Sequence, residues 1–94
     1  MIVLGKRMKH ARVLKKMTQE TLAEKIGVSR TAIARWESGE TNPTVDHLIK
    51  ICNLLEVNAS FLLGTNNKEH IIEILKEMSA TLDQIASMMR EETI

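Results

Sequence analysis

QETLAEKIGVSRTAIARWES, residues 19–38, contains two short helical patterns separated by a glycine. Thr18 has the chemistry of an N-cap, so a helix is predicted over Gln19–Ile26, with Leu22, Ala23 and Ile26 on one face. Gly27 follows, and glycine is the residue that most readily takes the left-handed angle ending a helix. Ser29 caps a second helix from Arg30 to Glu37, whose apolar residues are Ile33 and Trp36. Two helices that cross steeply after a short turn need a small residue where they touch, and Ala23 supplies it. Val28 fills the space between them. The pattern is a helix-turn-helix, with Ile33 and Trp36 anchoring its second helix from beneath.

That anchoring leaves Arg30, Thr31, Ala34 and Arg35 on the outer face. In a helix-turn-helix, the first turn of the second helix enters the DNA major groove. Arginine there pairs with O6 and N7 of guanine through two hydrogen bonds. Thr31 offers a hydroxyl to a base or phosphate, or a methyl to thymine. Arg35 lies one turn further on, within reach of a base edge or a phosphate.

Outward from this core the chain continues to read as helix. Leu4, Met8, Ala11 and Leu14 are spaced for a first helix over about Leu4–Lys15. Ser38-Gly39-Glu40-Thr41-Asn42-Pro43 is a turn cluster, Thr44 caps a fourth helix to Leu55, and Asn58 opens a short fifth helix ending at Gly64. The 94 residues contain one Trp, one Phe and no Tyr, which argues against an all-β fold and against sheets that stack bases on aromatic rings. The expected class is all-α.

Net charge is +1, but it is unevenly placed. Residues 1–64 hold ten Lys/Arg against six acids, and residues 65–94 hold three against six. The first part suits a polyanion and the second would be repelled by one. Cys52, the single cysteine, excludes an internal disulfide and reads as a small buried hydrophobe in a reducing, cytoplasmic setting. No metal, cofactor or membrane span is expected. His10, His47 and His70 fall on different helices without ligand spacing, no nucleophile–base pairing suggests an enzyme, and no apolar run nears the roughly 20 residues of a span.

The chain from Leu4 to Gly64 resembles the lambda-repressor-like, Xre-type helix-turn-helix family. The resemblance is carried by LGKRM (4–8), TQETLAEKIGVSR (18–30), IARWESG (33–39), NPTVDHL (42–48) and FLLG (61–64). It implies a five-helix domain that binds double-stranded DNA as a homodimer on a two-fold operator. Base reading falls on Arg30, Thr31 and Arg35, with Ala34 as a methyl contact. Phosphate contacts fall on Gln19, Ser29, Thr41, Asn42 and Thr44, and a structural ion pair falls on Arg12 and Glu37. Lys16 stands where the family often has glycine, Thr21 where it often has a capping glutamate, and Glu40 puts an acid in a loop that lies near phosphate in relatives.

Residues 65–94 are expected to form a separate helical part, from Lys68 to about Glu91, with Asn66 as its cap. Ile71, Leu75, Met78, Leu82, Ile85 and Met89 repeat at alternating intervals of four and three, a heptad seam widened by Ile74 and Met88. Such a stripe must be buried somewhere. Dimerisation with a second copy is the expectation. Folding back onto the domain and docking of a protein antagonist, co-regulator or toxin are the alternatives. The sequence thus predicts a DNA-binding transcriptional regulator, a repressor on an inverted repeat. The alternative is an antitoxin-like module whose last helix neutralises another protein.

Overall fold

The computed structural model describes residues 1–78 and 83–86. Its helices are α1 (Ile2–Leu14), α2 (Gln19–Ile26), α3 (Arg30–Ser38), α4 (Val45–Leu55), α5 (Ala59–Leu63) and α6 (Lys68–Glu77), and no strand occurs among the described residues. Four of the side chains predicted to start helices do so. Thr18 accepts from the backbone N–H of Thr21, Ser29 from Ala32, Thr44 from His47 and Asn58 from Phe61. Each bond satisfies one of the donors that a helix leaves unpaired at its start. Thr21, which lacks the reach of a glutamate, receives the hydroxyl proton of Thr18 at 3.0 Å and leaves the capping box open. Gly27, Gly39 and Gly64 end α2, α3 and α5 in the left-handed conformation.

Two compact units divide the chain between Asn42 and Pro43, whereas the sequence placed its boundary after Gly64. In the first unit α3 packs against both α1 and α2. Its buried apolar residues are Leu4, Met8 and Ala11 of α1, Leu22, Ala23 and Ile26 of α2, and Ile33 and Trp36 of α3. Trp36 is therefore a core residue. Leu14, expected inward, is 69% exposed because the buried stripe of α1 ends one turn earlier.

Gly5 permits a close approach between α1 and the end of α3. A Cβ there would lie 2.5 Å from the carbonyl oxygens of both Trp36 and Glu37. Glycine in a helix interior costs about 0.5–1 kcal/mol relative to alanine, so its presence marks a contact that no side chain fits. The contact brings α1 against the backbone at the end of α3.

The second unit contains α4, α5 and α6. Val45, Leu48, Ile51, Cys52 and Leu55 of α4 and Ala59, Leu62 and Leu63 of α5 are buried, and α4 packs against α5. The cap of α6 is Asn67, one residue later than expected, with its side-chain oxygen accepting from the N–H of His70. α6 ends at Glu77 and 83–86 is again helical, while the rest of the expected span to Glu91 lies outside the described residues. Gln84 donates to the carboxylate of Asp46 beside the start of α4.

The expected dimer seam is not free. Ile71 is 1% exposed, Leu75 0%, Met78 9% and Ile85 8%, all within a single copy of the chain. Side chains with so little accessible surface offer a second copy little to cover. These four residues are core, in line with the fold-back alternative. Leu82, Met88 and Met89 lie outside the described residues.

Two substitutions test this packing. Gly5→Ala should lower stability by about 1–3 kcal/mol in chemical denaturation, because backbone rather than a pliable side chain meets the new methyl. Leu75→Asp buries an unpaired charge and should destabilise by more than about 3 kcal/mol, with loss of helical circular dichroism. A folded monomer carrying Leu75→Asp would instead identify Leu75 as a residue between copies.

Candidate nucleic-acid interface

The first unit is cross-braced by one buried carboxylate. Glu37 Oε2 accepts from Arg12 Nε at 2.7 Å, and Glu37 Oε1 accepts from Arg12 Nη2 at 3.1 Å. The two side chains are only 10% and 4% exposed. Arg12 Nη1 donates to the carbonyl of Met17 at 2.7 Å, just before the N-cap of α2. Gln19 Nε2 donates to Glu37 Oε1 at 3.1 Å. One ion pair thus joins α1, the turn before α2, the first residue of α2 and the end of α3. No buried side-chain nitrogen or oxygen among the described residues is left without a partner. The pairing of Arg12 with Glu37 was expected; the links to Met17 and Gln19 were not.

On this brace α3 shows its outer face. Arg30, Thr31 and Arg35 are exposed and Ala34 is half-buried, while Ile33 and Trp36 lie in the core. Ser29 accepts the capping bond at 3.1 Å, which leaves its hydroxyl proton available to donate. Arg35 Nε lies 3.9 Å from Glu40 Oε2, a wide pair whose side chains are 55% and 66% exposed. The N–H groups of Glu40 and Thr41 both donate to the carbonyl of Arg35, so the loop carrying the acid is tied to the residue that it faces.

Thr41 and Asn42 are exposed in the same loop, and the Asn42 side-chain oxygen accepts from the amino group of Met1 at 2.9 Å. Thr44 belongs to the other unit, where its hydroxyl caps α4 and lies 3.0 Å from His47 Nδ1. Lys16 is left-handed, with φ 57°, so the position where relatives often have glycine keeps a glycine's conformation. Among the described residues no cluster of His, Cys, Asp or Glu is arranged to hold a metal ion, and no helix is long and apolar enough to cross a membrane.

The chain belongs to a family of DNA-binding regulators. The family model described as helix-turn-helix matches residues 8–62, and the Xre-type, lambda-repressor-like resemblance read from the motifs is that family. The chain is 31% identical over 91 residues to the SPbeta prophage-derived uncharacterized HTH-type transcriptional regulator YonR of Bacillus subtilis, an alignment covering 96% of this chain and 84% of YonR. It is 36% identical over 64 residues to the cryptic phage CTXphi transcriptional repressor RstR of Vibrio cholerae, covering 65% of this chain and 57% of RstR. Among solved structures, the restriction-modification controller protein C.AhdI from Aeromonas hydrophila superposes with a TM-score of 0.60 at 28% identity, covering 65% of this chain and 92% of that one. The all-α, lambda-repressor-like fold and the function of DNA-binding transcriptional regulator follow.

Removal of one partner from the brace should be costly, since it strands the other charge. Arg12→Ala is expected to lose about 3–5 kcal/mol of stability in thermal or denaturant melts. Glu40→Gln, which breaks only the exposed pair, should change stability by less than about 1 kcal/mol.

Proposed function

We propose that this chain is a repressor that binds an inverted-repeat operator as a homodimer and acts by occupying promoter DNA. The observation that carries this reading is the outer face of α3, where Arg30, Thr31 and Arg35 are exposed above a helix fixed by buried Ile33 and Trp36. In this reading Arg30 and Arg35 read base edges in the major groove, Thr31 contacts a base or phosphate, and Ala34 packs on a thymine methyl. Gln19, Ser29, Thr41 and Asn42 contact the phosphate backbone and set the register of the helix on the duplex.

Repression is supported by likeness to RstR, which bears the name of a transcriptional repressor. The homodimer belongs to the same proposal: an inverted repeat would offer its two half-sites to two recognition helices entering successive grooves about 34 Å apart. In this reading its contact surface lies outside the stripe of Ile71, Leu75, Met78 and Ile85, because those side chains are buried within one copy. The protein acts where the DNA is, in the cytoplasm of a bacterial cell.

Selection of binding sites from random duplexes tests the whole reading. Two half-sites in inverted order are expected. Recovery of sequences with no shared pattern would defeat it. Arg30 and Arg35 bring two cations per subunit to the duplex, so log affinity against log salt should fall with a slope of about −3 to −4 per dimer. Arg30→Ala should cost about 1–3 kcal/mol of binding and relax preference at one base pair, read by repeating the selection with the variant.

A further inference from the structure

Glu37 does more than pair with Arg12. Its Oε1 accepts from two donors at 3.1 Å, Arg12 Nη2 and Gln19 Nε2. A carboxylate only accepts, so the end of the Gln19 carboxamide beside it must be the nitrogen. One N–H of that nitrogen is engaged and the second remains for an anion. The backbone beside Gln19 is held by the same pair, because Arg12 Nη1 donates to the Met17 carbonyl at 2.7 Å and the Met17 N–H donates to the Arg12 carbonyl at 3.1 Å.

We propose that Glu37 is a positioning residue for DNA binding: it holds the Gln19 amide in the orientation that meets a phosphate. The inference rests on the reading of Gln19 as a phosphate contact and adds what prepares it. A free glutamine at a helix start samples many rotamers, and a phosphate that captures it must overcome that freedom. Here the freedom is lost on folding, through a carboxylate that the core already fixes. Glu37 touches no DNA in this scheme. It acts through Gln19.

A double-mutant cycle tests the proposal on the full-length chain, with a duplex recovered from the random-site selection and at a temperature where every variant is folded by circular dichroism. The variants are Gln19→Ala, Glu37→Asp and the two together. Aspartate keeps the charge beside Arg12 but draws the carboxylate back by one methylene. Gln19→Ala should weaken binding about tenfold on all sequences alike, as expected for loss of a hydrogen bond to a charged group. Glu37→Asp should weaken binding severalfold, and the double variant should bind no worse than Gln19→Ala alone.

If the fold-changes multiply instead, Glu37 serves stability only and the proposal is overturned. If Gln19→Ala binds like the parent, the phosphate role of Gln19 falls and this inference with it, while reading by α3 stands. If even the parent discriminates among no duplexes, the DNA reading itself has failed. Should Glu37→Asp not fold, relaxation of the Gln19 side-chain NH2 in the DNA-free parent decides the matter. An order parameter above about 0.6 is expected, and a freely rotating side chain overturns the proposal.

Discussion

The first unit depends on a charge pair that water cannot easily reach. Burial of Arg12 and Glu37 is expensive, because each ion loses hydration that only close partners replace. The arrangement meets that condition closely. Glu37 accepts from two nitrogens of Arg12 and one of Gln19, and the third nitrogen of Arg12 takes the Met17 carbonyl. A pair of leucines of similar volume would hold α1 to α3 at lower electrostatic cost, yet would not fix the register of α2. The ion pair does both, since its hydrogen bonds have direction and end on three different segments.

This bracing explains how a short helix can present a reading surface. α3 has nine residues, too few for stability on its own in water. It is held from beneath by Ile33 and Trp36, at its start by the Ser29 cap, and at its end by Glu37 and left-handed Gly39. Arg30, Thr31 and Arg35 face outward while Ile33, Trp36 and Glu37 take the side turned to the core. Recognition of a base edge requires placement to within a fraction of a hydrogen-bond length, and such placement comes from the scaffold rather than from the arginine itself.

Local chemistry was the most legible part of the sequence. Thr18, Ser29, Thr44 and Asn58 cap the helices that they were expected to cap, because a hydroxyl or carboxamide at a helix start acts on a neighbour three residues away. Periodicity was legible in a narrower sense. The stripe containing Ile71 and Leu75 indicated that a face is buried, but spacing carries no information on whether the covering atoms belong to the same copy. Gly5 lies inside a helical pattern, where a glycine costs stability and so marks a close approach. Its partner, the carbonyl pair at Trp36 and Glu37, lies more than thirty residues away and has no local signature. The link between Gln19 and Glu37 was hidden for the same reason: each had a role assigned alone, and only their proximity joins the roles.

The turn after α1 connects strain with bracing. Lys16 is left-handed at φ 57°, a conformation that disfavours any residue with a Cβ by about 1–2 kcal/mol. Such a residue persists where its surroundings determine it more than once. Here the Lys16 N–H donates to the Val13 carbonyl at 2.9 Å, and Arg12 grips Met17 twice, with its backbone carbonyl on the N–H and its guanidinium on the carbonyl. A glycine at residue 16 would relieve the angle, but the turn does not require one, because the buried arginine imposes the same path. The side chain kept at that position is a lysine, exposed and three residues from Gln19, so the brace that holds the core also lets the turn before α2 carry a positive charge where glycine would carry none.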